Sequence, residues 1–210
     1  MKLELGPATD KILFQLPTFD INQPIGIMLS GGLDSAILLM LINKFVPSEK
    51  IHIFTVPRPD NAYYHSSNLI NKINQKYKTN FRQPCMVSDG IGFHGRQVWN
   101  GILEVLNFYT FIETLYLAEN KPPDEVQIKF DTIYPIRAPN SNSHDKVKMP
   151  FWSFKKYHII DIASQMKWLE LLNYTHSCCV QPEGRCNKCF NCLERDWSIK
   201  QLNLIDTGSI

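Results

Sequence analysis

Hydrophobic positions along this chain alternate between short continuous runs and longer stretches with helical spacing. Residues 25–29, Ile-Gly-Ile-Met-Leu, form an unbroken apolar run that ends in Ser-Gly-Gly. Such a run predicts a strand buried on both faces of a parallel sheet. From Asp34 the period lengthens, and residues 35–45 read as a helix stopped near Pro47, apolar on most sides and so largely buried. Residues 51–56, rich in β-branched side chains and closed by Pro57, predict a second strand, and residues 64–77 a surface helix. A third strand is expected over 81–87 despite Pro84, a helix from Gln97 to about Tyr109, and a fourth strand over 114–118. Pro122-Pro123 ends this regularity, leaving a strand expected around 128–136 and a loop through 139–143. Apolar residues from Ile159 to Leu172 return at helical spacing, predicting one helix over 157–172. The first 23 residues show no sustained period and read as an arm or edge element.

Strands alternating with helices predict an α/β fold, a Rossmann-like parallel sheet with helices on both faces and right-handed crossovers. Ligands in such folds bind at the carboxyl edge of the sheet, where the Ser-Gly-Gly turn falls. The expected organisation is an α/β domain over residues 1–175 and a small cysteine-rich segment, 176–210, packed on it.

Composition changes this picture little. The chain has 210 residues, 44% hydrophobic, and its 22 basic and 20 acidic residues leave a formal charge of +2. That near balance supplies no large electrostatic footprint for nucleic acid. The first residues lack the pattern of a secretory signal, and the longest apolar run, residues 36–42, is far too short for a membrane helix. A soluble, cytoplasmic protein without membrane partners is expected, with its cysteines as free thiols or metal ligands.

Two sequence features carry chemistry. In Ser30-Gly31-Gly32-Leu33-Asp34-Ser35, glycines after a buried strand let the backbone approach an anion, and the following helix aims its free N–H groups at the same point. The turn is neither a Walker A loop nor the Gly-x-Gly-x-x-Gly of dinucleotide binders. The second feature is Cys178, Cys186, Cys189 and Cys192, spaced C-x7-C-x2-C-x2-C, which suits tetrahedral zinc. C-x2-C-x2-C also begins the bacterial ferredoxin run, but the Cys-Pro that would follow is missing, so zinc is preferred over an iron–sulfur cluster. Cys179 leaves the identity of the first ligand open, and Cys85 reads as a core thiol. A shell of four thiolates has no open position, which points to a structural metal. Glu194 and Arg195 are expected to pair or cap near the metal loop. The six histidines show no ligand spacing and read as ordinary surface or core residues.

The Ser-Gly-Gly-Leu-Asp-Ser stretch resembles the signature of the PP-loop ATP pyrophosphatase superfamily, whose adenine nucleotide alpha hydrolase-like domains cleave ATP between the α and β phosphates. The resemblance implies that Met28, Leu29, Ser30, Gly31, Gly32, Leu33, Asp34 and Ser35 bind ATP, with Asp34 placing Mg2+ or the loop itself. The run from Ser177-Cys178 through residues 184–195 is similar to the end of the 7-cyano-7-deazaguanine synthase family. Residues 154–160 resemble that family's Lys-x-x-Ile helix start, and Gly95-Arg96-Gln97 its Arg-Asn motif with Gln in place of Asn. Ala118-Glu119-Asn120 departs from the family's usual glycine. The resemblance implies Lys156 as the cation on the α phosphate, Arg96 as a phosphate or substrate ligand, Zn2+ on the four cysteines, and a homodimer. It implies a carbon-nitrogen ligase that adenylates a 7-carboxy-7-deazaguanine-like base, with ammonia forming the amide or nitrile. Two other readings stay open: a PP-loop enzyme adenylating a tRNA base or protein end, and a nucleotide-binding or interaction module without turnover, as in a defence system.

Overall fold

A computed structural model describes residues 2–15, 18–20, 22–91, 94–127 and 144–208. Its centre is a five-stranded parallel sheet in the order β5-β4-β3-β6-β7. The strands are β3 (Ile25–Met28), β4 (Ile51–Thr55), β5 (Cys85–Met86), β6 (Thr114–Tyr116) and β7 (Val147–Lys148). β3 is central, pairing Ile25 with Ile51 on one side and with Thr114 on the other. Strand alternation sends Ile25, Ile27 and Ile53 into one core and Met28, Phe54 and Leu115 into another on the opposite face.

The first core is covered by α1 (Leu33–Asn43), α2 (Ala62–Tyr77) and α5 (Lys156–Gln165). α1 is buried at Leu33 and at every position from Ser35 to Ile42, so its apolar circumference belongs inside. The second core is covered by α3 (His94–Phe108), through Ile102 and Val105. Helices on both faces, as the alternating pattern predicts, place the β3-to-α1 turn at the carboxyl edge of the sheet. No helix among the described residues is long and apolar enough to cross a membrane.

Several local expectations change. The first residues form an antiparallel hairpin, β1 (Lys2–Leu5) with β2 (Ile12–Gln15), docked on the start of α5. Asp10 accepts hydrogen bonds from Lys155 Nζ and Tyr157 Oη, the residues flanking Lys156, while Gly6 N donates to Asp161 at 2.8 Å. The expected third strand shrinks to Cys85–Met86, and Cys85 is exposed rather than a core thiol, because it lies on the sheet's edge strand. The helix expected over 157–172 breaks after Gln165: Lys167 takes a left-handed φ of 61°, and Trp168 N donates to Ala163 O at 2.7 Å, a Schellman-type stop. The chain resumes as a 3-10 turn, Leu169–Asn173, that buries Leu171 and Leu172.

Between β6 and β7 lies a short α4 (Asp124–Gln127); the strand expected at 128–136 and the loop at 139–143 fall outside the described residues. A final helix, α6 (Phe190–Gln201), begins directly after Cys189, carries Cys192 in its first turn and packs on α5, with Ile199 entering the first core.

Candidate active site

β3 hands over to α1 through residues that hydrogen-bond among themselves. Ser35 Oγ accepts from Ser30 N at 3.2 Å and donates to Gly32 O at 3.1 Å, and Ser30 Oγ accepts from Gly32 N at 3.3 Å. Gly32 caps the helix with extended backbone, φ −84° and ψ 169°. The first intrahelical bond of the turn runs from Ala36 N to Gly32 O, so the earlier N–H groups are left to meet an anion in front of the helix.

Gly31 turns at φ +76°, and a Cβ there would lie 2.6 Å from His65 Cβ and 2.9 Å from Ser66 N. Gly31→Ala is therefore expected to cost about 2–4 kcal/mol through left-handed strain and overlap with α2. Gly32→Ala, whose nearest neighbour would be the mobile Ser30 hydroxyl at 3.2 Å, should cost far less. Urea midpoints of the two variants check this, and equal stability of Gly31→Ala and wild type would refute it.

The turn opens into a cleft at the carboxyl edge of the sheet. Its apolar part is formed by Met28, Val56, Val98 and Leu117; its polar part is formed by the turn, Lys156, Asn120, Asn191 and Glu194. Lys156 is the first residue of α5 and is 5% exposed. Its ammonium lies 3.1 Å from Asp34 Oδ2 and 2.6 Å from Glu194 Oε2, and Glu194 Oε1 accepts from Asn120 Nδ2 at 2.8 Å. Burial pushes Lys156 down, but Asp34 and Glu194 outweigh it and hold the ammonium above the ordinary lysine range. Burial likewise raises Asp34, with Lys156 opposing. Asp34 Oδ1 is buried without a hydrogen-bond partner among the described residues.

Of the residues singled out in the sequence, the structure brings Met28, Leu29, Ser30, Gly32, Leu33, Asp34, Ser35 and Lys156 to this one cleft. Arg96 lies in the first turn of α3, exposed and away from the cleft lining, while its neighbour Gln97 is buried and donates to Gly90 O.

Glu194 and Arg195 do not pair with each other, because consecutive positions on α6 point in different directions. Glu194 turns to Lys156. Arg195, fully buried, donates to Leu172 O at 2.7 Å, Thr175 Oγ1 at 3.1 Å and Ser177 Oγ at 3.1 Å, and pairs with Asp206. Asp206 falls to about 2 because Arg185 and Arg195 overcome the opposing effect of its burial. These bonds hold the segment that leads into the cysteines.

Cys178, Cys186, Cys189 and Cys192 bring their sulfurs within 4.8 Å of one another, and could hold a metal ion. Tetrahedral zinc with Zn–S near 2.3 Å needs sulfurs about 3.8 Å apart; Cys178 and Cys189 are at 4.0 Å. Cys178 Sγ accepts from Gln181 N at 3.2 Å and Cys186 Sγ from Cys189 N at 3.2 Å, the amide donors that thiolate ligands favour. Cys178 and not Cys179 joins the group. The histidines are less ordinary than their spacing implies: His65 and His176 stack at the cleft, centroids 3.8 Å apart and 6° from parallel.

Residues 20–86 match the family model described as asparagine synthase; the match spans less than half of the chain and contains β3, the Ser-Gly-Gly turn, α1, β4, α2 and β5. An NMN synthetase from Francisella tularensis has a similar structure over 87% of this chain and 78% of its own, with TM-score 0.50 and 10% identity. That likeness is one of fold, and the family-model match falls on the segment that holds the Ser-Gly-Gly turn. A U34-tRNA thiolase from Methanococcus maripaludis, determined with its 4Fe-4S cluster, aligns over 86% of this chain and 66% of its own, with TM-score 0.48 and 13% identity. No curated protein matches the sequence. In this fold, residues 30–35 form the turn at the carboxyl edge of β3, and Lys156 reaches it from α5.

Proposed function

We propose that this chain is an ATP-dependent carbon-nitrogen ligase that adenylates a carboxylate on a 7-carboxy-7-deazaguanine-like base and uses ammonia to form the amide or, after a second activation, the nitrile. The observation that carries the reading is the buried ammonium of Lys156, 3.1 Å from Asp34 of the Ser-Gly-Gly turn, in the cleft at the carboxyl edge of the sheet. An ammonium has three donors; Asp34 and Glu194 take two, which leaves one for a phosphate oxygen.

An acceptor carboxylate oxygen attacks the α phosphorus, and the bond from the α phosphorus to the bridging oxygen breaks. Pyrophosphate departs onto the N–H groups before α1, whose dipole favours the leaving charge. Lys156 offsets the charge that builds on the α phosphate. Ammonia then attacks the acyl carbon, loses a proton and expels AMP, leaving an amide. Glu119, Asn120, Asn191 and Phe190 line the cleft beyond Lys156 and are assigned to the acceptor.

The orphaned Asp34 Oδ1 is a hard donor that fits Mg2+, which would neutralise polyphosphate charge when bound. The four thiols fit Zn2+ as a closed structural site. Residues 1–175 would then form the ATP pyrophosphatase domain and 176–210 a zinc segment packed on it. The likeness of the 184–195 run to the deazaguanine synthases supports the acceptor assignment.

The test supplies the metal-loaded protein with ATP, Mg2+, ammonium and 7-carboxy-7-deazaguanine, following pyrophosphate and product mass. Acid-dependent pyrophosphate with conversion to the amide or nitrile is expected. ATP binding without acid-dependent pyrophosphate removes the deazapurine assignment. Pyrophosphate release that depends instead on tRNA or on a protein terminus moves the same adenylation chemistry to that acceptor.

A further inference from the structure

The stacked histidines join two parts of the molecule that the proposed chemistry treats separately. His65 lies in the first turns of α2, and His176 lies just before Cys178. His176 N donates to Gly31 O at 3.0 Å, tying its backbone to the PP-loop, while the backbone of His65 and Ser66 supports Gly31 from the other side. Both rings then reach into the cysteine loop. His65 Nε2 is 2.8 Å from Pro182 O and His176 Nε2 is 2.9 Å from Gln181 O. A carbonyl can only accept, so each Nε2 donates. Gln181 is also the residue whose N–H donates to Cys178 Sγ at 3.2 Å. One short path therefore runs from a sulfur through Gln181 to His176 and Gly31, and a second from Pro182 through His65 to the same glycine.

We propose that the His65–His176 stack couples the cysteine knuckle to the PP-loop, so that Zn2+ on the four thiols and a nucleotide polyphosphate on the loop raise each other's affinity. The inference rests on the loop binding ATP as proposed above. A metal on the cysteines fixes the backbone carbonyls of residues 181 and 182; those carbonyls fix the two rings; the rings fix the carbonyl and the Cα of Gly31. Binding either ligand orders groups that the other also needs, and a coupling of this kind must be reciprocal. His65 and His176 act here as positioning residues.

The experiment measures Zn2+ affinity by equilibrium competition with a chromophoric chelator, in excess Mg2+, with and without saturating α,β-methylene ATP. The analogue's own binding is titrated calorimetrically beforehand. Wild type is compared with His65→Ala and with His65→Phe, which keeps a flat ring in the stack and deletes only the donor to Pro182. Any Zn2+ taken up by free analogue is the same for all three proteins. The analogue is expected to raise wild-type Zn2+ affinity by about fivefold or more, and this factor should fall in both variants, which lose the path through Pro182 and keep only the one through Gln181. No effect of the analogue on wild type, or equal effects in wild type and His65→Phe, would overturn the coupling while leaving the ATP site intact. Absence of analogue binding to wild type in the calorimeter would instead overturn the nucleotide reading and the coupling with it.

Discussion

Lys156→Met is expected to destabilise the folded chain by about 3–5 kcal/mol near neutral pH and to slow pyrophosphate release roughly a hundred- to thousandfold. Methionine has the length of the lysine stem, so packing around α5 changes little and the lost ammonium accounts for the effect. Its loss leaves Asp34 and Glu194 facing each other from the PP-loop and α6 with no cation between them. Removing one partner from a buried cluster costs more than the pair contributed, because the remaining charge is stranded out of water.

The deficit should depend on pH. Burial already lifts Asp34 above the usual carboxylate range, against the pull of Lys156, and without the ammonium it rises further. Asp34 in the variant therefore takes up a proton as pH falls through that raised value, and the difference from wild type narrows in acid. The raised pKa of wild-type Lys156 works in the opposite range. Its contribution is complete below the ordinary lysine pKa and is lost only as pH climbs through the higher folded value. Urea unfolding of both proteins at mildly acidic and mildly alkaline pH measures this. A deficit that stays constant across that range would mean the carboxylates are not the source.

Removal of the metal proposed for the four cysteines should have the next largest effect. A ligand held at a thousandfold over its dissociation constant adds about 4 kcal/mol to folding. For a chain of this size each kcal/mol moves the melting temperature by about 2–4 °C, so chelation or Cys189→Ser is expected to lower it by roughly 8–16 °C. α6 begins directly after Cys189 and carries Glu194 to Lys156, so hydrogen exchange should rise first in α6 and around the PP-loop, before the central strands. Metal analysis should find one zinc per chain and no visible charge-transfer absorption; such absorption would assign the site to an iron–sulfur cluster. A metal-free chain with unchanged melting would remove the structural role of the knuckle.

What could be read from the sequence depended on whether burial followed hydrophobicity. It did in β3, an unbroken apolar run in the sheet interior, and in α1, whose apolar circumference is enclosed. It did not in α6. There Glu194, Arg195 and Ser198 are buried beside Phe190 and Ile199, so no apolar stripe marks the helix and periodicity misses it. The hairpin at the start escaped for a related reason: its four-residue strands bury only one or two side chains each, and Asp10 supplies much of its docking. The break in the helix after Gln165 comes from a lysine in a left-handed conformation, a position that composition does not advertise.

The sequence by itself determined the Ser-Gly-Gly turn, its place after a buried strand, and a set of four cysteines, because each is a short-range pattern in which neighbouring residues cooperate. The tertiary structure decided which distant groups meet there. It turned Glu194 to Lys156, gave Arg195 to the segment leading into the cysteines, chose Cys178 over Cys179, and left Arg96 at the surface. It also stacked His65 on His176, two histidines whose spacing in the chain carries no signal. Those choices follow from long-range packing of α5, α6 and the cysteine loop around one glycine turn. Burial makes each unpaired charge or donor there costly enough to specify its partner.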